Sequence, residues 1–269
     1  MMSPTQPWRR HALDLAALAA LLLYGLLAWG AESGRGGAAL DPVWAAARER
    51  GALRVAVDVG FRPFADQVGG ELTGYDVELA RAVAGRLGLR AEFVPTGFDA
   101  LYDSLTSGRA DLIASALVYA PEQGFRARFS SFYFDAGQVL VVPEASAIGG
   151  LGDLAGRTVG VALGSDADAL ARRMARDGAF TLRSSYDEPA EAMADLRAGR
   201  LDAVLADNVA ALTAVQAEPG LRIAAALSSE PFALAMPRAA FQLEAEVNRA
   251  LDELRAAGFL AELNERWLR

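Results

Sequence analysis

Hydrophobic positions alternate between two periods beyond residue 42. Short apolar, β-branched runs such as LRVAVDV (53–59) are typical of buried strands. Segments between them, such as YDVELARAVAGRLGL (75–89), carry Leu, Val and Ala at three- and four-residue spacing, which predicts amphipathic helices. The alternation restarts after residue 140 with RTVGVAL (157–163). Strands separated by helices predict an α/β chain of βαβ units around mostly parallel sheets.

One phrase occurs twice, as LTSGRADLIASA (105–116) and as LRAGRLDAVLAD (196–207). Each copy predicts a helix end, a glycine stop, a tight turn and a buried strand, once in each of two lobes. Ser115 and Asp207 follow the strands, and ligands bind at the carboxyl ends of strands in open α/β sheets. The pattern therefore predicts a cleft between two lobes. The alternative is that a helix end, a glycine and a strand often follow one another in proteins, so that the phrase repeats by chance.

The first 31 residues have the pattern of a targeting segment. The uncharged run from 15 to 31 follows two arginines and is shorter than the roughly 20 residues that a spanning helix needs. Ala28-Trp29-Gly30 resembles the small-x-small pattern before a signal-peptidase cut. We expect residues 1–31 to be a cleaved signal peptide, with an uncleaved membrane anchor as the alternative, and 32–42 to be a linker. Export places the protein in the periplasm or outside the cell.

Composition excludes several chemistries. The chain has no cysteine, no lysine, and one histidine, which lies in the targeting segment. A net charge of −8 argues against binding to nucleic acid. Nothing has the spacing of a metal site, a dinucleotide fingerprint or a Ser-His-Asp set. We therefore expect no cofactor and no metal.

From residue 51 to 269 the chain resembles extracellular (periplasmic) solute-binding proteins of ABC importers, in the polar amino acid-binding group. The resemblance rests on GALRVAVDVGFRPF (51–64), GFDALYDSLTSGRADLIAS (97–115), LAGRTVGVALGSD (154–166) and LDELRAAGFLAELNERWLR (251–269). It implies two lobes, each a mostly parallel sheet flanked by helices, joined by a hinge of two crossing strands near 139–142 and 227–233.

The resemblance also implies domain boundaries and a function. Lobe 1 would span 43–140, an inserted lobe 2 would span 141–229, and 230–269 would return to lobe 1. The protein would be a monomer without enzymatic activity. It would capture a small polar solute, amino acid-like or a cationic amine, between the lobes and deliver it to a membrane ABC permease.

Ligand-binding positions carry over one by one. Phe61 and Phe98 correspond to the aromatic pair that sandwiches the ligand side chain, and Asp207 to the aspartate that holds its amino group. The expected ligand-binding residues are Asp58, Phe61, Phe98, Ser115, Val118, Gln123, Ser165, Asp166 and Asp207.

Departures from the family pattern change the expected ligand. Gln123 stands where the family has the arginine that clamps the ligand carboxylate, and Val118 replaces a hydroxyl residue. Asp166 puts a negative charge at a helix start, where an anion would otherwise bind. These changes disfavour an ordinary L-amino acid and suit a cation between aromatic faces. Arg62 or Arg126 could replace the missing clamp.

Two other function classes stay open. The same fold carries carboxylate-based dehydratases and wall-lyase modules, in which Glu122, Asp166 or Asp58 would act as a general acid. An accessory protein that has lost its ligand is the third possibility.

Overall fold

The computed structural model describes residues 41–176, 180–217 and 219–268. The predicted signal peptide or anchor (1–31) and nearly all of the predicted linker lie outside these residues. Within the described part of the chain, no helix has the length and apolarity needed to cross a membrane.

Strands and helices alternate along the chain as the hydrophobic pattern predicts. The strands are β1 (Ala52–Val57), β2 (Asp66–Val68), β3 (Glu71–Thr73), β4 (Arg90–Pro95), β5 (Leu112–Ile113), β6 (Ala127–Asp135), β7 (Gln138–Pro143), β8 (Thr158–Ala162), β9 (Thr181–Tyr186), β10 (Ala203–Asp207), β11 (Leu221–Ala226) and β12 (Pro231–Pro237). The helices are α1 (Pro42–Arg50), α2 (Tyr75–Arg86), α3 (Leu101–Thr106), α4 (Asp166–Ala175), α5 (Pro189–Arg197), α6 (Asn208–Ala217), α7 (Phe241–Ala256) and α8 (Phe259–Trp267). Short 3₁₀ turns cover Phe98–Ala100, Pro121–Gln123 and Leu151–Asp153.

These strands form two five-stranded sheets, which confirms the two-lobed α/β fold. The first has the order β4-β1-β5-β12-β6 and the second the order β11-β7-β10-β8-β9. In each sheet, three adjacent strands run parallel, as βαβ units require. Strands β12 and β7 run antiparallel to their neighbours, so both sheets are mixed rather than purely parallel. These two are the strands that arrive from the other lobe.

The chain passes between the sheets twice, at residues 136–137 and 227–230. Asp135 ties the two passages together, because its Oδ1 accepts from the backbone N–H of Gly137 at 2.9 Å and of Glu230 at 2.8 Å. A Cβ at Gly137 would lie 2.3 Å from the carbonyl oxygen of Ser228, so only glycine fits this approach. Strand β7 belongs to the second sheet over its whole length. The predicted lobe boundaries at 140/141 and 229/230 remain predictions.

Both copies of the repeated phrase end a helix and start a strand as predicted. Gly108 and Gly199 take φ values of 68° and 71°, the left-handed conformation that glycine adopts at little cost. The aspartate of each copy then binds the neighbouring strand. Asp111 Oδ2 accepts from Arg54 N at 2.9 Å, and Asp202 Oδ2 accepts from Thr158 N at 2.8 Å.

The C-terminal helices pack on the first lobe, as the resemblance implies. Asp41 caps α1 by accepting from Val43 N at 2.9 Å and Trp44 N at 3.0 Å. Its second carboxylate oxygen accepts from Gln242 N and Leu243 N in the first turn of α7, at 2.8 and 2.9 Å. One buried aspartate thus caps two helices that are distant in sequence.

Candidate functional site

A cleft of about 820 Å³ opens between the two lobes, at the carboxyl ends of β1, β5 and β10. Its volume is in the range of small-molecule sites. Eight of the nine predicted ligand-binding residues line it, namely Asp58, Phe61, Phe98, Ser115, Val118, Ser165, Asp166 and Asp207. The structure brings these residues together from both lobes, and their binding roles remain our prediction.

Aromatic rings form much of the wall on the first lobe. Phe61 and Phe98 are 53% and 57% exposed, unusually high for phenylalanine, and both rings line the cleft. Phe61 stacks on the buried Phe64 with ring centroids 5.8 Å apart, and Phe64 contacts Phe232 edge-on at 5.3 Å. A packed aromatic core therefore supports an exposed ring that a ligand could cover.

The ends of β1 and β5 are tied to each other beneath these rings. Ser115 Oγ accepts a hydrogen bond from Asp58 N at 2.9 Å, which fixes the strand end that carries the Asp58 side chain. Ala116 takes a φ of 42°, which is rare for a residue other than glycine. Its N–H donates to Asp76 Oδ2, and burial raises the pKa of Asp76 to about 7. A buried acid thus holds this wall of the cleft in a strained conformation.

The helix start on the second lobe is capped in part by its own side chains. Ser165 Oγ accepts from Asp168 N at 3.1 Å, and Asp168 Oδ2 accepts from Gly164 N at 3.0 Å. Burial would raise the pKa of Asp168, but hydrogen bonds from Gly164 and Arg172 outweigh it and hold that pKa below its usual value. Asp166 adds a further acid to this first turn of α4. This helix start therefore opposes an incoming anion.

Asp207 and Gln138 lie side by side on the second lobe, paired across strands β10 and β7. Asp207 Oδ1 accepts from Ala210 N at 2.9 Å at the start of α6. Gln138 is only 8% exposed, lines the cleft, and its Oε1 has no hydrogen-bond partner among the described residues. A buried acceptor without a partner costs about 1–3 kcal/mol, and a ligand that donates to it would remove that cost.

Acids outnumber bases in the cleft. Its described lining includes the carboxylates of Asp58, Asp166, Asp207 and Glu230. Arg62 also lines the cleft, but its Nε lies 2.6 Å from Asp66 Oδ2. Arg126 pairs with Asp103 outside the cleft lining, and its guanidinium lies 5.2 Å from the Tyr102 ring centroid. Both arginines considered as replacement clamps are thus paired with other carboxylates, although the Arg62 side chain is 76% exposed.

Gln123 is the predicted site residue that the structure leaves out of the cleft lining. It ends the 3₁₀ turn Pro121–Gln123, and its buried Oε1 has no hydrogen-bond partner within residues 41–176, 180–217 and 219–268. Glu122, a candidate general acid in the enzyme hypothesis, lies in the same turn and is also absent from the lining.

Sequence reasoning missed Gln138 and Glu230 as lining residues. Both border the passages between the lobes, where no motif signals a site. The one available signal was that Gln138 is a polar residue opening the apolar strand QVLVVP (138–143).

Comparison with known proteins identifies the family. Residues 53–269 match the bacterial extracellular solute-binding proteins, family 3, and the chain belongs to that family. It is 32% identical over 225 residues to the L-cystine-binding protein TcyJ of Escherichia coli, covering 82% of this chain and 84% of TcyJ. The resemblance found in the sequence is confirmed.

Solved structures show the same architecture. The unliganded, open L-cystine solute receptor of Neisseria gonorrhoeae aligns with a TM-score of 0.72 at 29% identity, over 82% of this chain and 96% of the receptor. An ancestral cyclohexadienyl dehydratase aligns with a TM-score of 0.70 at 27% identity, over 84% of this chain and 95% of that protein. The fold therefore occurs in both binding proteins and an enzyme.

Proposed function

We propose that this extracellular solute-binding protein captures a small polar solute, an amino acid or an amine, in the cleft and delivers it to an ABC permease. The observation that carries the proposal is the meeting of eight predicted binding residues from both lobes in one cleft. The L-cystine-binding relatives support a ligand of amino acid size.

Capture would work by closure of the lobes. A ligand that contacts both walls stabilises the closed state by as much as it binds that state more tightly than the open one. The two passages at 136–137 and 227–230 are the natural hinge, since they are the connections between the two sheets within residues 41–268. Their hydrogen bonds to Asp135 hold the two passages next to each other.

Each wall would have its own task. Phe61 and Phe98 would cover the apolar part of the solute and exclude water from it. Asp207 would accept hydrogen bonds from a positively charged group, and Ser115 would hold Asp58 in place beside the rings. From its family, we expect the protein to be exported and to be recognised by a permease. We propose that it acts as a monomer.

We propose a binding role rather than catalysis. The ancestral dehydratase on this fold makes an acid-catalysed reaction the second candidate, with Asp58 or Asp166 as the acid. Incubating the exported protein with its captured solute separates the two, because a binding protein returns the solute unchanged and an enzyme gives a product visible by mass spectrometry.

A thermal-shift screen against amino acids, amines and betaines tests the proposal. A true solute at a hundred times its dissociation constant should stabilise the protein by about 2.7 kcal/mol. Native mass spectrometry of the protein purified from its own cells provides the second readout. Failure of every compound to raise the Tm, together with a protein that carries no solute, would contradict the proposed function.

A further inference from the structure

We infer that the cleft selects an organic cation with two positive centres and no carboxylate. The inference rests on the proposed function and specifies the ligand class of the same site. Diamines and guanidino-amines belong to this class, whereas the corresponding amino acids carry an additional carboxylate.

The acids of the cleft come from both lobes and from the passage between them. Asp58 lies on the first lobe, Asp166 and Asp207 on the second, and Glu230 on the second passage. Closure would bring these like charges together in a space that loses water, where charge repulsion strengthens. A ligand with one positive centre near each lobe would turn that repulsion into attraction.

A ligand carboxylate would meet more acids than bases among the described residues that line this cleft. The first turn of α4 would be the anion site, but Ser165 accepts from Asp168 N, Asp168 accepts from Gly164 N, and Asp166 adds a carboxylate to the cleft lining there. Arg62 is held by Asp66, and Arg126 by Asp103. A ligand carboxylate would therefore be desolvated beside four acids, with Arg62 as the one cation of the described lining, and like-charge repulsion would weaken its binding.

Gln138 gives independent evidence that the ligand carries a hydrogen-bond donor. Its side chain is more than nine-tenths buried, lines the cleft beside Asp207, and leaves Oε1 without a partner in the described chain. Its backbone is fully used, because the N–H donates to Ser228 Oγ and the carbonyl accepts from Leu227 N. An ammonium or guanidinium group would donate to Gln138 and to Asp207 at once.

The aromatic wall suits the same ligand class. Phe61 and Phe98 present exposed rings to the cleft, and the face of an aromatic ring attracts a desolvated cation. A ring also covers the methylene chain that separates two charged ends. Rings and acids together therefore match a short, doubly charged amine.

Calorimetric titration with matched pairs tests the inference on the exported protein. Agmatine differs from arginine, and putrescine from ornithine, only by the carboxylate that the inference excludes. We expect the amine of at least one pair to bind at least about tenfold more tightly than its amino acid.

Asp166→Asn removes one carboxylate from the cleft while Ser165 still caps α4. It should shrink the amine preference at least about threefold, because the amino acid loses a repulsive neighbour. Asp252→Asn is the matched control, since it changes net charge equally but removes an exposed carboxylate on α7 outside the cleft. Asp58→Asn is the second variant should Asp166→Asn not fold.

Tighter or equal binding of both amino acids would overturn the inference and leave the proposed function standing, because a solute is still captured. Absence of binding by all four compounds would also overturn the inference. The solute carried by the native protein would then decide the proposed function separately.

Discussion

The two copies of the helix–glycine–strand phrase differ in the surroundings of their aspartates. In the first lobe, Asp111 is 2% exposed and binds Arg54 at 2.7 Å as well as Arg50. In the second, the side chain of Asp202 is 36% exposed and Arg157 lies 3.3 Å away. Both aspartates join two neighbouring strands by a backbone hydrogen bond. The phrase is therefore a structural device, and its first copy is the one shielded from water.

The carboxyl ends of β5 and β10, the strands in the two copies, differ in the chemistry of their side chains and not only in burial. The first copy ends in Ser115-Ala116, and the Ser115 hydroxyl holds the backbone of Asp58, whereas the second ends in Ala206-Asp207, which puts a carboxylate in the cleft. Similar sequences thus build the two sheets, and the last two residues of each copy, which differ, determine what each lobe offers a ligand.

The largest expected difference is in the stability lost when each of these two aspartates is removed. Asp111→Ala should lower the free energy of unfolding by about 3 kcal/mol or more, because it leaves two arginines and a backbone N–H without their carboxylate partner. Asp202→Ala should cost about 1 kcal/mol, since its ion pair is exposed. Urea unfolding of both variants measures the difference. Equal losses would show that burial does not distinguish the two copies.

The two lobes also differ in the acidity of a buried aspartate in the first turn of a helix, Asp76 in α2 and Asp168 in α4. Burial raises the pKa of Asp76 to about 7, whereas hydrogen bonds overcome burial and lower the pKa of Asp168. A raised pKa means that the folded state holds the proton more tightly, so this stabilisation is lost as pH rises through about 7. Between pH 5 and 8 the loss should be about 2–3 kcal/mol.

Asp76→Asn should remove that part of the pH dependence, because the amide does not titrate. The same replacement at Asp168 should leave the slope between pH 5 and 8 unchanged. Unfolding titrations at several pH values give both slopes. An Asp76→Asn slope equal to that of the wild type would exclude a raised pKa.

The next expected effect concerns the strand ends. Asp207→Asn keeps the size of the side chain and removes its charge, so affinity for a cationic solute should fall by about 2 kcal/mol or more. Ser115→Ala should cost less, since it acts through the backbone of Asp58. Calorimetry with the captured solute measures both. A larger loss for Ser115→Ala would reverse the roles assigned to the two lobes.

The smallest expected effect belongs to Gln138. Gln138→Leu removes the unpartnered acceptor, so affinity should fall by about 1 kcal/mol while the unliganded protein loses no stability. Calorimetry and urea unfolding provide the two readouts. A loss of stability without a loss of affinity would make Gln138 a structural residue.

Features that depend on neighbouring residues could be predicted from the sequence, whereas features that depend on the packing of distant segments could not. The strands, the helices and the clustering of Ser115 with Asp207 follow from periodicity and from the rule for strand ends. Gln138 and Glu230 could not be found, because their place in the cleft depends on how the chain passes between two sheets. Asp76 looks like an ordinary acid at a helix start, and only packing around it reveals its burial.

Closure of the cleft on its solute is the central claim, and X-ray scattering tests it most directly. The exported protein would be measured alone and with a saturating amount of the solute that raises its Tm most. The two-lobed account predicts a smaller radius of gyration in the bound protein, because both walls contact the solute and the passages at 136–137 and 227–230 act as the hinge. A tightly bound solute that leaves the scattering profile unchanged would contradict it.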